Sequence, residues 1–190
     1  QAARASPRYS PASMFTIPHA LTGLSLGVVH DVDELIPYRS ALPPFSPAWV
    51  RDMGLHDAMT LSNVPIFQEL ARRIGSIRMQ EALRQLAYGS MSIGGLVDRF
   101  WLDGTLTISA LEQIRFLQQL AVGKLLFPAT AQRQVRTITV FKRTPSWVLH
   151  AKTGWQNAPG PGIGWWVGWV ERNGAIYPFA LNIDIRTAAD

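Results

Sequence analysis

From residue 135 onward the sequence reads VRTITVFKR, SWVLHAKTGW, GIGWWVGWVER and AIYPFALNIDI, four stretches rich in β-branched and aromatic residues. Consecutive short strands with tight turns between them pair with their chain neighbours, so this half of the chain predicts an antiparallel sheet. The turns hold Pro145, the Gly/Pro-rich NAPGPG and the pair Asn173-Gly174, which favours a type I′ hairpin. In the third stretch Trp165, Val167 and Trp169 alternate with Trp166, a pattern that suits a core strand sandwiched between two packed faces. A stacking platform for a sugar or a base is the weaker reading of the same run.

Ahead of the sheet the period changes from two to three and four. From Ser13 to Val29 the apolar residues Phe15, Ile17, Leu21, Leu24 and Leu26 make a helical stripe, interrupted early by Pro18 and closed by Gly27. Residues 31–60, with Pro37, Pro43, Pro44 and Pro47, read as connection with short helical pieces. Between Asn63 and Val122 three helices follow, in PIFQELARRIG, SIRMQEALRQLAYG and TISALEQIRFLQQLAVG, the last with Thr107 and Glu112 at its start and Gly123 at its end. Helices first and sheet second is the segregation of an α+β domain, and one domain over residues 1–190 is the expectation.

Composition narrows the classes of function. A chain of 190 residues, 47% apolar, is long enough for one sizeable core. Its formal charge of +5 is mostly arginine, scattered without a basic arm, which argues against nucleic acid and is compatible with an anionic small molecule. The only lysines are Lys124, Lys142 and Lys152. With no cysteine there is no disulfide or thiolate metal site, and His19, His30, His56 and His150 lack zinc-binding spacing. No apolar run is long enough to span a membrane, and the chain does not open on a signal-peptide pattern. Both ends read as cuts through a larger domain.

Four short elements could carry chemistry. Ser13 stands at a helix start, where outward N–H groups favour a developing negative charge, although a plain capping serine is the commoner case. Ser62-Asn63-Val64 precedes another helix and reads locally as a second cap. Lys152-Thr153-Gly154 ends a strand; such a lysine is usually a solvated edge charge, but Gly154 would allow a backbone or ligand to come close. His150 shares the face of Lys152 by alternation, and the fourth element is the tryptophan run.

In order, the chain holds Ser13-Met14-Phe15-Thr16, Ser62-Asn63-Val64, Tyr88-Gly89-Ser90 and Lys152-Thr153-Gly154-Trp155. This ordered set resembles the signature of penicillin-recognising serine enzymes. With FTIPHALTGLSLGVV, VDRFWLDGTLTISALEQIRFL and IGWWVGWVE around it, the chain is similar over essentially its whole length to class D (oxacillinase-type) β-lactamases. The resemblance implies a penicillin-binding-protein or transpeptidase-like fold: an antiparallel sheet flanked by helices, a helical lobe, and a site between them. It implies β-lactam binding and hydrolysis through an acyl-enzyme at Ser13, in the periplasm or outside the cell. By resemblance Ser62 relays protons near the leaving nitrogen, Val64 lines the pocket around the base, and Lys152 and Thr153 hold the substrate carboxylate side. Ser13 and Trp155 would supply oxyanion-hole N–H groups, Gly154 belongs to the Lys-Thr-Gly strand, and Trp101 with Leu102 matches the loop over the base.

The departures carry expectations of their own. The family's third residue after the nucleophile is a lysine that takes up carbon dioxide to become the general base; here it is Thr16, which can form no carbamate, so no cofactor is expected. Loss of a general base costs about two to four orders of magnitude in rate, so slow acylation and very slow deacylation follow. Trp101 should lack the partner it would bond, and Ser90 stands where the family has asparagine. The expected partners are a β-lactam and, to complete the sheet, a second copy of the chain, another chain or further residues. The alternatives are a non-catalytic β-lactam- or peptidoglycan-binding relative, and an inactive remnant or engineered variant.

Overall fold

Helix α1, Thr16–Ser25, carries no charged side chain and buries all but its last two residues. A helix without a polar face belongs in the interior. The computed structural model describes residues 2–156 and 162–186 and sets α1 against α2 (Leu55–Leu61), α3 (Val64–Ile74) and α6 (Ala129–Ile138). Pro18 falls in the first turn, where its missing N–H would have had no partner. The helix ends in a Schellman motif: Gly27 is left-handed at φ 63°, and the N–H groups of Val28 and Gly27 reach the carbonyls of Gly23 and Leu24.

The three helices expected between 63 and 122 are present as α3, α4 (Ser76–Gln85) and α5 (Ala110–Ala121). The cap of α5 is Ser109, in a reciprocal capping box with Glu112, so the expected role of Thr107 passes to the residue two places on. A second correction falls on VRTITVFKR. Val135–Ile138 completes α6 and only Val140–Arg143 is strand, because Ala131, Val135 and Ile138 recur at helical spacing and are buried together. The β-branched composition pointed the other way.

Strands β1 (Arg8–Tyr9) and β2 (Ile108–Ser109) form a short ladder. The main sheet is an antiparallel meander of β3 (Val140–Arg143), β4 (Val148–Gln156), β5 (Gly162–Arg172) and β6 (Ala175–Ile185) in chain order. Asn173 and Gly174 both have positive φ, as the type I′ turn requires. NAPGPG lies, but for its last glycine, outside the described residues.

Trp165, Val167 and Trp169 are buried on the face toward α5, whereas Trp166 is 41% exposed beside exposed Leu181 and Ile183 on the other face. The sandwiched strand expected from the tryptophan run is therefore packed on one face only among the described residues. No helix of the described residues is long and apolar enough to cross a membrane.

Candidate active site

Ser13 lies inside a 3₁₀ helix, Ala12–Phe15, that runs directly into α1. The residue in the capping position is Pro11 and no side chain caps this turn, so the reading of Ser13 as a helix cap does not hold. Ala12 just before it is left-handed at φ 48° and fully buried, a conformation that costs a non-glycine residue about 1 kcal/mol or more and persists only where its surroundings impose it. Those surroundings are specific. The N–H of Ala12 and the hydroxyl of Ser10 both donate to the carbonyl of Trp101 at 3.0 Å, and the indole N–H of Trp165 donates to the carbonyl of Ser10 at 2.9 Å. The turn is clamped between β5 and the loop that carries Trp101.

The lysine of β4 is not an edge charge. β4 runs between β3 and β5, and Lys152 points into the protein with 6% of its surface exposed. Its Nζ donates to Ser62 Oγ at 2.5 Å and to the carbonyl of Thr153 at 2.8 Å. Burial lowers its pKa to about 8. Ser62 is free to face the lysine because the capping of α3 falls to Asn63, whose side chain accepts from the N–H of Ile66 at 3.3 Å. Ser62 itself is left-handed, at φ 51°, between α2 and α3. The local reading of Ser62-Asn63-Val64 as a cap is met by Asn63, which leaves Ser62 to the site.

Gly154 does what its residue type suggested, toward backbone rather than a ligand. A Cβ there would stand 2.8 Å from the carbonyl oxygen of Pro11 and 3.2 Å from the amide nitrogen of Met14. Any larger residue would push β4 off the turn that holds Ser13. Beyond this contact the free edge of β4 opens onto the site. The ladder with β3 reaches only Val148–His150, after which the N–H of Ala151 bonds to the carbonyl of Thr139. Alternation then turns the backbone groups of Thr153 and Trp155 to the same edge, which among the described residues has no strand beside it. The Thr153 carbonyl uses this freedom to accept from Lys152.

Ser13, Ser62, Val64, Thr153 and Trp155 line one cleft of about 520 Å³, together with Phe45, Trp49 and Leu61. Leu102 lies in an adjoining hollow that shares Phe45, Trp49 and Val64 with the cleft. Phe45 and Trp49 were missed in the sequence because they fall in the aperiodic, proline-rich connection. The available signal was Ser46-Pro47-Ala48-Trp49, a serine followed by proline that starts a short 3₁₀ helix with Ser46 as its cap. Trp49 donates its indole N–H to the carbonyl of Leu61 and accepts at its own carbonyl from Asn63 Nδ2, which latches this loop to the turn bearing Ser62.

Behind Ser13, on α1, the surroundings are dry. Thr16 is buried, and its hydroxyl donates to the carbonyl of Ser13 at 2.7 Å with Met59 Sδ beside it at 3.0 Å. It has no amine on which a carbamate could form, so the carbon dioxide adduct of the resemblance does not fit this position. One turn on, His19 is fully buried among Phe15, Phe67, Phe100 and Trp101, with neither ring nitrogen hydrogen-bonded among the described residues. Burial holds its pKa down at about 3. Trp101 is fully buried against Phe15 and His19 and reaches the Ser13 turn through its backbone, not as a lid. Tyr88 lies in the core with its hydroxyl donating to Gln113, and Ser90 is paired with Thr107, so neither borders the cleft. Among the described residues no group of three or more histidines and carboxylates gathers as a metal site.

Comparison with known proteins places this arrangement. The model of the penicillin binding protein transpeptidase domain matches residues 1–190. The chain is 42% identical to β-lactamase OXA-5 of Pseudomonas aeruginosa over 97% of its length and 70% of that protein's. It is also 42% identical to β-lactamase OXA-48 of Klebsiella pneumoniae, over 97% of this chain and 69% of the other. The crystal structure of FUS-1 (OXA-85), a class D β-lactamase from Fusobacterium nucleatum subsp. polymorphum, superposes with a TM-score of 0.96 at 42% identity, covering 100% of this chain and 78% of that one. The class D β-lactamase YbXI from Nostoc gives 0.95 at 40% identity, covering 100% and 80%. On the family model, the identities and the shared fold, the chain belongs to the penicillin-binding transpeptidase family and, within it, to the class D β-lactamases.

Proposed function

We propose that the protein binds β-lactams and is acylated by them at Ser13, and that it hydrolyses the resulting ester slowly. The observation that carries this is the convergence of Ser13, Ser62 and Thr153 on one cleft, with Lys152 bonded to both Ser62 and Thr153. In this reading Ser13 Oγ attacks the lactam carbonyl, and the N–H groups of Ser13 and Trp155 receive the oxyanion. Thr153 and Lys152 hold the carboxylate side, and Val64, Leu102 and Trp155 bound the remainder of the substrate. Trp101 and Gly154 act through the backbone, by fixing the Ser13 turn.

Thr16 sets the rate. Its hydroxyl is no base near neutral pH and is already committed to Ser13 and Met59. That same observation favours the second reading, a binding relative that never forms the ester. Incubation with benzylpenicillin, followed by intact mass, decides between them. The expected result is one penicilloyl group per chain, absent from Ser13→Ala, with slow turnover of a chromogenic cephalosporin. Saturable binding with no adduct would establish the binding module, and rapid multiple turnover would show that the lysine is dispensable.

The family resemblance supports a periplasmic or secreted location. The exposed apolar side chains Trp166, Tyr177, Leu181 and Ile183 on the outer face of the sheet support a covering partner, either a second copy or further residues.

A further inference from the structure

If position 16 supplies no base, the proton of Ser13 has to go elsewhere. Among the described residues, those lining the cleft with Ser13 include no carboxylate, histidine or lysine, so the first group to examine is one hydrogen bond behind them. That group is Lys152, 2.5 Å from Ser62 Oγ. Resting on the acylation reading above, we propose that Lys152, as the neutral amine, accepts the proton of Ser13 through the hydroxyl of Ser62 and returns it by the same hydroxyl to the lactam nitrogen.

The step balances without a co-reactant. Ser13 Oγ forms a bond to the lactam carbon as its proton moves to Ser62 while that of Ser62 moves to Lys152 Nζ. The carbon–nitrogen bond then breaks, the proton returns through Ser62 to the nitrogen, and Lys152 is neutral again. The contact in which the ammonium donates to Ser62 is the same contact in which the amine accepts from it.

Three features of the surroundings fit this role. Among the described residues no carboxylate pairs with Lys152: its amine bonds to Ser62 and to the Thr153 carbonyl, and its neighbour across the ladder on β5 is the apolar Val167, flanked on the same buried face by Trp165 and Trp169. The titratable group on its own face of β4 is His150, whose ring nitrogens are engaged by Thr139 and by Glu171. Second, burial without a counter-charge moves the lysine toward neutral pH, to about 8. Third, Ser62 and Ser13 line the same cleft, so a substrate bound there lies against the hydroxyl that Lys152 holds.

The test is the rate of adduct formation with benzylpenicillin, read by intact mass on the unaltered protein from pH 6 to 9.5. The rate should rise about tenfold per pH unit below a midpoint near 8 and level off above it. Lys152→Arg keeps the positive charge but cannot give it up, so it should acylate at least about 100-fold more slowly, with no midpoint near 8. An adduct that forms at the same rate across the range overturns this proposal and leaves acylation at Ser13 standing, as does an arginine variant that acylates normally. No adduct at any pH overturns both.

Discussion

Ser13 stands between two walls of opposite character. On the α1 side Thr16 and His19 are buried and uncharged, and the unpaired ring nitrogens of His19 are shut away among aromatic rings; on the β4 side Lys152 is almost as deeply buried but is bonded to Ser62 and Thr153. The same force acts on both walls, since desolvation lowers the pKa of His19 and of Lys152 alike. What differs is the starting point. Lowered to about 3, a histidine is a neutral ring at every working pH and is too weak a base to draw a proton from a serine. Lowered to about 8, a lysine titrates within the range in which an enzyme operates. Burial that silences one group therefore brings the other into play.

The largest effect should come from restoring the dry wall. Thr16→Lys with added bicarbonate is expected to raise turnover of a chromogenic cephalosporin by about two to four orders of magnitude. A rate that does not change would mean that position 16 is not what limits this protein. The same variant sharpens the contrast further: with a second base present, acylation should lose its rise toward pH 8, because Lys152 would no longer be the only route for the proton.

Next in size is the contact that joins the two walls. In Gly154→Val the new side chain would meet the Pro11 carbonyl and the Met14 amide, neither of which can move without shifting Ser13. Thermal unfolding should report a loss of about 1–3 kcal/mol. Acylation should fall by about tenfold or more even where the variant remains folded, since displacement of the nucleophile costs rate independently of stability. A stable variant that acylates normally would show that β4 does not set the position of the turn.

How much of this was legible beforehand differs from place to place. The hairpin at Asn173-Gly174, the helices α3, α4 and α5, and the buried face of Trp165 and Trp169 follow from local pattern alone, because each is fixed by a period or a turn type. Ser13 reads locally as a cap because a serine ahead of an apolar helix looks the same whether or not it caps, and in Ser62-Asn63 the local pattern does not say which of the two polar residues does so; the left-handed backbone at Ala12 and Ser62 separates the cases. Lys152 reads locally as a solvated edge charge for a different reason. Its strand has a free edge beyond His150, but the side chain turns into the protein, and which face of the strand the rest of the fold covers is a fact of topology that no local pattern records. Val135–Ile138 shows that composition yields to period when the two disagree.

His19 gives the third prediction. A buried ring with two unpaired nitrogens costs roughly 1–3 kcal/mol relative to a partnered or apolar group, so His19→Leu should leave stability at pH 7 unchanged or raise it by up to about that amount. The pH dependence is more diagnostic. The folded-state pKa lies below the ordinary one, so above about 6.5 the ring is neutral in both states and imposes no protonation penalty. As pH falls from there toward 3, the unfolded chain gains a proton that the folded chain refuses, and stability drops. Urea unfolding at pH 7 and pH 5 should show this loss in the parent and a smaller one in the leucine variant; equal losses would locate the acid sensitivity elsewhere.

The smallest effect belongs to Glu112, which completes the series as a partly buried charge that is fully partnered. Its carboxylate accepts from the N–H and hydroxyl of Ser109, at 2.9 and 2.8 Å, and pairs with Arg8 at 2.5 Å, so it ties the start of α5 to β1. The Arg8 guanidinium, with help from Ser109, holds its pKa at about 2 against the opposing effect of burial. Here the depressed value is stabilising: the contribution is complete above the ordinary carboxylate value and is lost as pH falls toward 2. Glu112→Gln keeps the shape and one acceptor but gives up the charge, so a loss of about 1 kcal/mol at pH 7 is expected, shrinking as pH is lowered below 4.5. Because neither Glu112 nor Arg8 lines the cleft, the rate of adduct formation at Ser13 should not change. A change in that rate would mean that the short β1–β2 ladder also governs the Ser13 turn, and the sharp division between the two walls would then have to extend to the strand that precedes them.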